Sequence, residues 1–337
     1  MAIRNVPLAS LRDELKAPID VLICCASFEE RCKSVVDHLD RSIVRKAIVA
    51  ENKKLSDYVG ANADYLRRLF EGRCIDVEID LTEPLASADN FAMVLDKAGL
   101  RGGARCLVDI TTFTHEVLLI LLRLLSLRLS EDAQAWFVYT GASDYSVGSA
   151  PGTKWLTKGI AEVRTVLGYP GRVLPSRRTH LIVLVGYEHE RASELIRRLE
   201  PSSLSIGYGK SGTAIASSHQ EANEQFHRLV RLSAATYPDV RDFEFSCCDP
   251  WDACQAILGE AETAGLANIV VAPMNTKIST VGSALAAFRN RDIQLCYARA
   301  LQYNYLGYSQ PGSSCYLFQL PELLSQSGAQ RARVPDG

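Results

Sequence analysis

Two short stretches carry residue types whose spacing invites chemistry. DITTFTHE, residues 109 to 116, gathers Thr111, Thr112 and Thr114 beside His115 at the expected start of a helix. APMNTKIS, residues 272 to 279, gathers Asn275, Thr276 and Lys277 at the same kind of position. Backbone amides in a first helical turn lack intrahelical partners and carry partial positive charge, so hydroxyl, amide and basic side chains there suit an anion. N-capping accounts for one hydroxyl per loop but not three. For a ligand that is processed rather than merely held, His115 or His189 is placed to act as acid or base, and Thr114 or Lys277 to stabilise a departing phosphate.

Other loops add candidates. Ser27, Phe28, Glu29, Glu30 and Arg31 match Tyr187, Glu188, His189, Glu190 and Arg191. The Glu30 and Arg31 pair has an architectural reading, with glutamate favoured by the helix dipole and arginine anchoring a neighbouring loop. Glu51, Asn52 and Lys53 form another loop, matched by GYGKSGT, residues 207 to 213, in which Lys210 and Ser211 could reach a phosphate. The full P-loop spacing fails there, because Leu204 stands where the first glycine belongs. Tyr139, Asp144 and Tyr145, with Tyr297, Arg299, Tyr303, Asn304 and Tyr305, offer rings for stacking on bases. Arg31 and His38 also fit an R-x6-H pattern, but Arg198 replaces the histidine in the matching segment, and the fit is read as coincidence. No GxGxxG follows a first strand and no GxSxG elbow occurs, which argues against a dehydrogenase and a serine hydrolase. Asp109 with Glu116 would bind magnesium only weakly, so neither a metal site nor a cofactor is expected.

The elements that must position these residues come in two copies. VLICCASFEERCKSVVDHL from Val21 matches LIVLVGYEHERASELIRRL from Leu181, an offset of 160. Ala61 and Asn62 match Ala222 and Asn223, and the offset returns to 160 where Ser149, Pro151 and Gly152 match Ser309, Pro311 and Gly312. The shared SxPG reads as an architectural turn. Short apolar runs predict strands near 20–26, 46–50, 75–81, 104–110 and 135–140, then near 180–186, 204–208, 242–247, 268–273 and 293–298, with helices between. The fold class is therefore α/β: two tandem Rossmann-like parallel-sheet units, expected to form a pseudo-dimer around a shared cleft. Residues 15–165 make the first repeat, 167–178 a linker rich in proline, glycine and arginine, 179–323 the second repeat, and 324–337 a tail. VLLILLRLLSLRL is apolar around its whole circumference and STVGSALAAF is rich in small residues, which suggests large-against-small packing of these two helices.

Composition narrows the partners. The 337 residues carry a net charge of -2 and 47% hydrophobic residues, so there is no overall basic field for duplex nucleic acid. The ten cysteines include no CxxC pair, and Cys24, Cys25, Cys106 and Cys296 lie in apolar runs as buried thiols. The N-terminus lacks the apolar stretch of about 7 to 15 residues that a signal peptide needs. The longest apolar run, Val117 to Leu125, falls short of the roughly 18 residues of a membrane span. A cytoplasmic protein without membrane contact is expected.

A tandem of Rossmann-like units with a threonine and lysine loop after each fourth strand resembles the CARF domains and the related SAVED pseudo-dimers. The resemblance spans about residues 18 to 320. It implies binding of a cyclic nucleotide or oligonucleotide, with Thr111 to His115 and Asn275 to Lys277 at ligand phosphates, and a part in antiviral defence. His115 departs from the lysine expected there. Such modules are commonly fused to an effector, which implies either a separate effector protein as partner or a chain that processes its own ligand. A sensor, a phosphodiesterase-like enzyme acting on a nucleotide or other phosphoester, and an interaction scaffold with a decayed site all remain open from sequence.

Overall fold

The computed structural model describes residues 3–145, 155–216, 218–305 and 308–324. The chain opens with β1 (Arg4–Pro7) and α1 (Leu11–Glu14). The first α/β run is β2 (Ile19–Cys25), α2 (Arg31–His38), β3 (Val44–Glu51), α3 (Ser56–Leu69), β4 (Cys74–Glu78), α4 (Pro84–Ala98), β5 (Arg105–Asp109), α5 (His115–Arg128) and β6 (Gln134–Tyr145). After β7 (Thr157–Pro170) comes the second run: β8 (Thr179–Leu184), α6 (His189–Leu199), β9 (Ser203–Gly209), α7 (Ser218–Ser233), β10 (Val240–Phe245), α8 (Pro250–Thr263), β11 (Asn268–Pro273), α9 (Lys277–Arg289) and β12 (Gln294–Tyr303). β13 (Ser309–Gln319) and α10 (Pro321–Leu324) follow.

All ten strands expected from the apolar runs are present. IDVLICC of β2 is almost wholly buried and NIVVAP of β11 entirely so, as parallel strands covered by helices on both faces must be. One sheet runs β1-β13-β6-β5-β2-β3-β4 and the other β10-β9-β8-β11-β12-β7. Each contains the same parallel core of five, centred on β2 or β8. The chain is thus α/β with two Rossmann-like units. From β2 it winds outward through β3 and β4, then returns to the other side of β2 as β5 and β6. This reversal makes a switch point between β2 and β5, repeated between β8 and β11, and ligands of open α/β sheets collect at the carboxyl ends of such strands.

Three strands fall outside the expected set. β7, which follows the first run, pairs antiparallel with β12 in the second sheet. β13, which follows the second run, lies between β6 and β1 in the first sheet and pairs antiparallel with β1. Two compact units result, one from the chain up to Ser143 and from Gln310 on, the other from Asp144–Ser309. The segment 167–178, read as a linker, begins inside β7, whose last residue is Pro170. Ser309, Pro311 and Gly312 form strand rather than the turn expected of them. A Cβ on Gly312 would stand 2.7 Å from the carbonyl oxygen of Gly141, so this glycine admits the backbone of β6. Ser149, Pro151, Gly152 and the tail after Leu324 lie outside the described residues.

The helices after the fourth strands are central ones. α5 buries ten of its 14 residues and α9 buries every residue from Ile278 to Phe288. Small side chains in α9 serve a neighbour within its own unit. A Cβ on Gly282 would meet Ala253 Cβ and Pro250 O of α8, both at 2.7 Å. Gly282→Ala should therefore overpack this contact and cost about 1 to 3 kcal/mol. Gly259→Ala, in the same unit at an exposed helical position with nothing within 4 Å of its added carbon, should be neutral or stabilise by about 0.5 to 1 kcal/mol. Urea unfolding of the two variants checks the pair.

Candidate functional site

At the first switch point the loops after β2 and β5 are stitched together by side chains. Thr112 Oγ1 donates to the Cys25 carbonyl at 2.6 Å. Asn62, from α3, donates to the Ser27 carbonyl at 2.8 Å, and Ser27 Oγ accepts from the Glu29 amide at 3.2 Å. Thr111 donates its hydroxyl to Asp109 and accepts the Thr140 amide at 3.0 Å, which ties β5 to β6. Thr114 caps α5 by accepting from the Val117 amide at 3.3 Å. Each of the three threonine hydroxyls expected to face an anion thus has an intramolecular partner. His115 and Glu116 follow in the first turn of α5, both buried.

Arg31 is buried at the head of α2, and its partner is Glu29 rather than Glu30. Its Nε and Nη2 donate to Glu29 Oε2 at 3.0 and 2.5 Å, and its Nη1 donates to the Thr140 carbonyl at 3.1 Å. Glu30 is exposed and pairs with Lys33. The anchoring role read for Arg31 is therefore carried by a neighbouring acid. The Thr140 hydroxyl, buried in the same place, has no hydrogen-bond partner among the described residues.

The second switch point is built from related parts. Asn275 Nδ2 donates to the Val185 carbonyl at 2.6 Å, and Thr276 Oγ1 donates to the Cys247 carbonyl at 2.7 Å while accepting from the Ser279 amide at 3.1 Å as the cap of α9. A Cβ on Gly186 would lie 2.7 Å from the Met274 carbonyl, so glycine is what lets the loops after β8 and β11 approach. Lys277, half-buried, opens α9. Arg191 pairs with Glu188, whose other oxygen accepts the Thr157 hydroxyl at 2.6 Å.

Here the two units part. Arg191 is 3% exposed, and its Nε has no hydrogen-bond partner among the described residues. Tyr303 feels the charges of Arg191, Glu188 and Arg299. Arg299 Nε is also buried without a hydrogen-bond partner, since Glu162 stands 3.7 Å away and is shared with Arg164 at 2.6 Å. Tyr187, which precedes Glu188 in the same loop, packs 4.9 Å from Tyr145, 5.5 Å from His219 and 5.2 Å from Phe226, measured between ring centres. His189 stacks on Phe226 at 4.7 Å, and burial lowers its pKa against the pull of Glu190 and the Tyr187 backbone. The neutral imidazole is favoured.

The remaining candidates fall elsewhere. Lys53 is exposed and pairs with Glu78 at 3.3 Å on the β3–β4 side of its sheet. Lys210 pairs with Asp252 of α8, and Ser211 is exposed in the turn after β9. The glycines of that loop answer to packing: a Cβ on Gly207 would strike the Phe243 ring at 2.5 Å, and one on Gly209 the Cys247 sulfur at 2.4 Å. Phe28 is half-buried beside Ser27. Tyr139 and Tyr297 are buried, while Tyr303 and Tyr305 stack at 6.1 Å. His219 and Phe226 were not expected. Their signal is the amphipathic pattern of α7, aligned with α3 through the asparagine match, but no motif marks the rings.

Among the described residues no group of three or more His, Cys, Asp and Glu is placed to hold a metal ion, and no helix is long and apolar enough to cross a membrane. No family model matches the sequence, and no curated protein matches it. Among solved structures, the mitomycin 7-O-methyltransferase MmcR is similar at 14% identity and a TM-score of 0.24, over 42% of this chain and 36% of that one. The overlap is too small to carry a functional argument.

Asp109 supplies a pH prediction. Burial raises its carboxyl to about 7 from an ordinary 3.8, against the opposing hydrogen bonds of Thr111 and the charge of Arg31. The folded chain then holds a proton that the unfolded chain releases. Its stabilising effect is complete below about pH 4 and is lost as pH rises through about 7. In urea unfolding at about pH 5 and about pH 8, Asp109→Asn should lose less stability between the two than the parent does.

Proposed function

We propose that this chain is a sensor module that binds a nucleotide-type, phosphate-bearing ligand at the carboxyl ends of the strands of its second unit and signals to a separate effector protein. The supporting observation is the buried Arg191, whose Nε lacks a partner, within electrostatic reach of Tyr297, Tyr303 and Tyr308 and paired with Glu188, the neighbour in sequence of Tyr187, whose ring packs with those of Tyr145 and His219. A buried guanidinium N–H left unmet is costly, and a phosphate oxygen would meet it with a charge-assisted hydrogen bond. Aromatic faces nearby suit a base. Lys277, in the first turn of α9, adds positive charge where helix amides already favour an anion. In the first unit Arg31 spends its donors on Glu29 and Thr140, so the reading favours one ligand site over two equal ones. The resemblance to CARF and SAVED modules points to cyclic nucleotides and oligonucleotides as the first ligands to try.

A thermal-shift panel of linear and cyclic mono-, di- and oligonucleotides tests this. A true ligand should stabilise the full chain by about 2.7 kcal/mol at a hundredfold excess over its Kd, and should be recovered unaltered. Arg299→Ala or Lys277→Ala should weaken it at least about tenfold. Turnover of the ligand, abolished by His189→Ala, would replace the sensor with an enzyme. A panel without any stabilisation would leave the scaffold.

A further inference from the structure

The amino ends of the strands in the first unit hold a second feature. A cavity of about 480 Å³ opens there, between the starts of β2, β5 and β6 and the end of β13. That volume is in the range of small-molecule sites. Its lining includes the buried side chains of Leu15, Ile19, Cys106 and Leu320, with the half-buried indole of Trp136 as a wall.

The charges at the cavity decide what it suits. Glu14 is neutralised by Arg4, which also stands 5.7 Å from the centre of the Trp136 ring. Lys16 lies at the edge of pairing with Asp13, 4.0 Å away. Arg105 and Glu131, both exposed, line the mouth, and neither side chain has a hydrogen bond or ion pair among the described residues. An apolar floor is therefore joined to one uncommitted cation and one uncommitted anion.

We propose that this cavity binds an amino-acid-like zwitterion with an apolar side chain. The carboxylate would lie on Arg105, the ammonium on Glu131, and the side chain against Trp136 and the apolar floor. A polyanionic nucleotide fits poorly, since Glu131 opposes it. The site is also separate from the switch-point loops of the same unit: Arg105 and Asp109 are the two ends of β5, about 13 Å apart at strand rise.

Titration of the full chain with L-phenylalanine and with L-leucine, followed by calorimetry and tryptophan fluorescence, tests the assignment. Saturable binding is expected, with a fluorescence change that disappears in Trp136→Phe. Arg105→Gln and Glu131→Gln, both exposed replacements, should each weaken binding at least about tenfold, and Arg299→Ala should leave it unchanged. Absence of binding by both amino acids up to about 10 mM would overturn the proposal. Equal binding of phenethylamine and 3-phenylpropionate, each lacking one charge, would overturn it as well.

Discussion

A guanidinium taken out of water must be given a carboxylate and enough acceptors, or the fold pays several kcal/mol for stranding it. Both halves of this chain place an arginine in that position, Arg31 and Arg191, at the head of the first crossover helix and beside the sheet's switch point. Glu29 and Glu188 answer the charge. What differs is how completely the donors are met. Arg31 reaches across to the Thr140 carbonyl and closes its surroundings, whereas Arg191 keeps an N–H in reserve among tyrosines. The same scaffold thus carries, in its second unit, a buried arginine donor that its first unit satisfies.

The loops around the arginines are held by approach distances as much as by charge. Gly186 allows two loops to meet, Gly207 and Gly209 make room for Phe243 and Cys247, and Gly282 receives α8. Gly207 and Gly209, which lie in the run read from sequence as reaching a phosphate, are thus set by packing, as Gly186 and Gly282 are. The same holds for the threonines after β5, whose hydroxyls join strands and cap a helix.

The central strands and the crossover helices were legible because burial on both faces leaves unbroken apolar runs such as LIVL and NIVVA. β7 and β13 were not, because both carry a mixed pattern: TKGIAEVRTVLGYP, at a sheet edge, alternates irregularly between buried and exposed, and SQPGSSCYLFQ hides its buried half behind proline and glycine. At the site, the sequence pointed to the loops after the first and fourth parallel strands, and the strand order, which is not legible in the sequence, sets those loops side by side at the switch points. The sequence missed Glu29 as the partner of Arg31, because repeat alignment favours the matched Glu30 and cannot see that a turn brings the preceding residue round. It also missed His219 and Phe226, which only the packing of α7 carries to Tyr187.

The order in which β7 and β13 are made bears on how this chain emerges from a ribosome. A unit made of consecutive residues can close as soon as its last strand is synthesised. Here the first sheet has β2 to β6 in hand early, yet β13, which lies between β1 and β6, is translated only after the whole second unit. Until it arrives, β6 presents open backbone donors and acceptors on that side, the kind of edge that recruits foreign strands. The second sheet has the opposite history, receiving β7 before its own core exists. The second unit, continuous from Asp144 to Ser309, can close once β12 is made, whereas the first cannot until β13 follows it, which makes a folded amino-terminal fragment without β13 the vulnerable species.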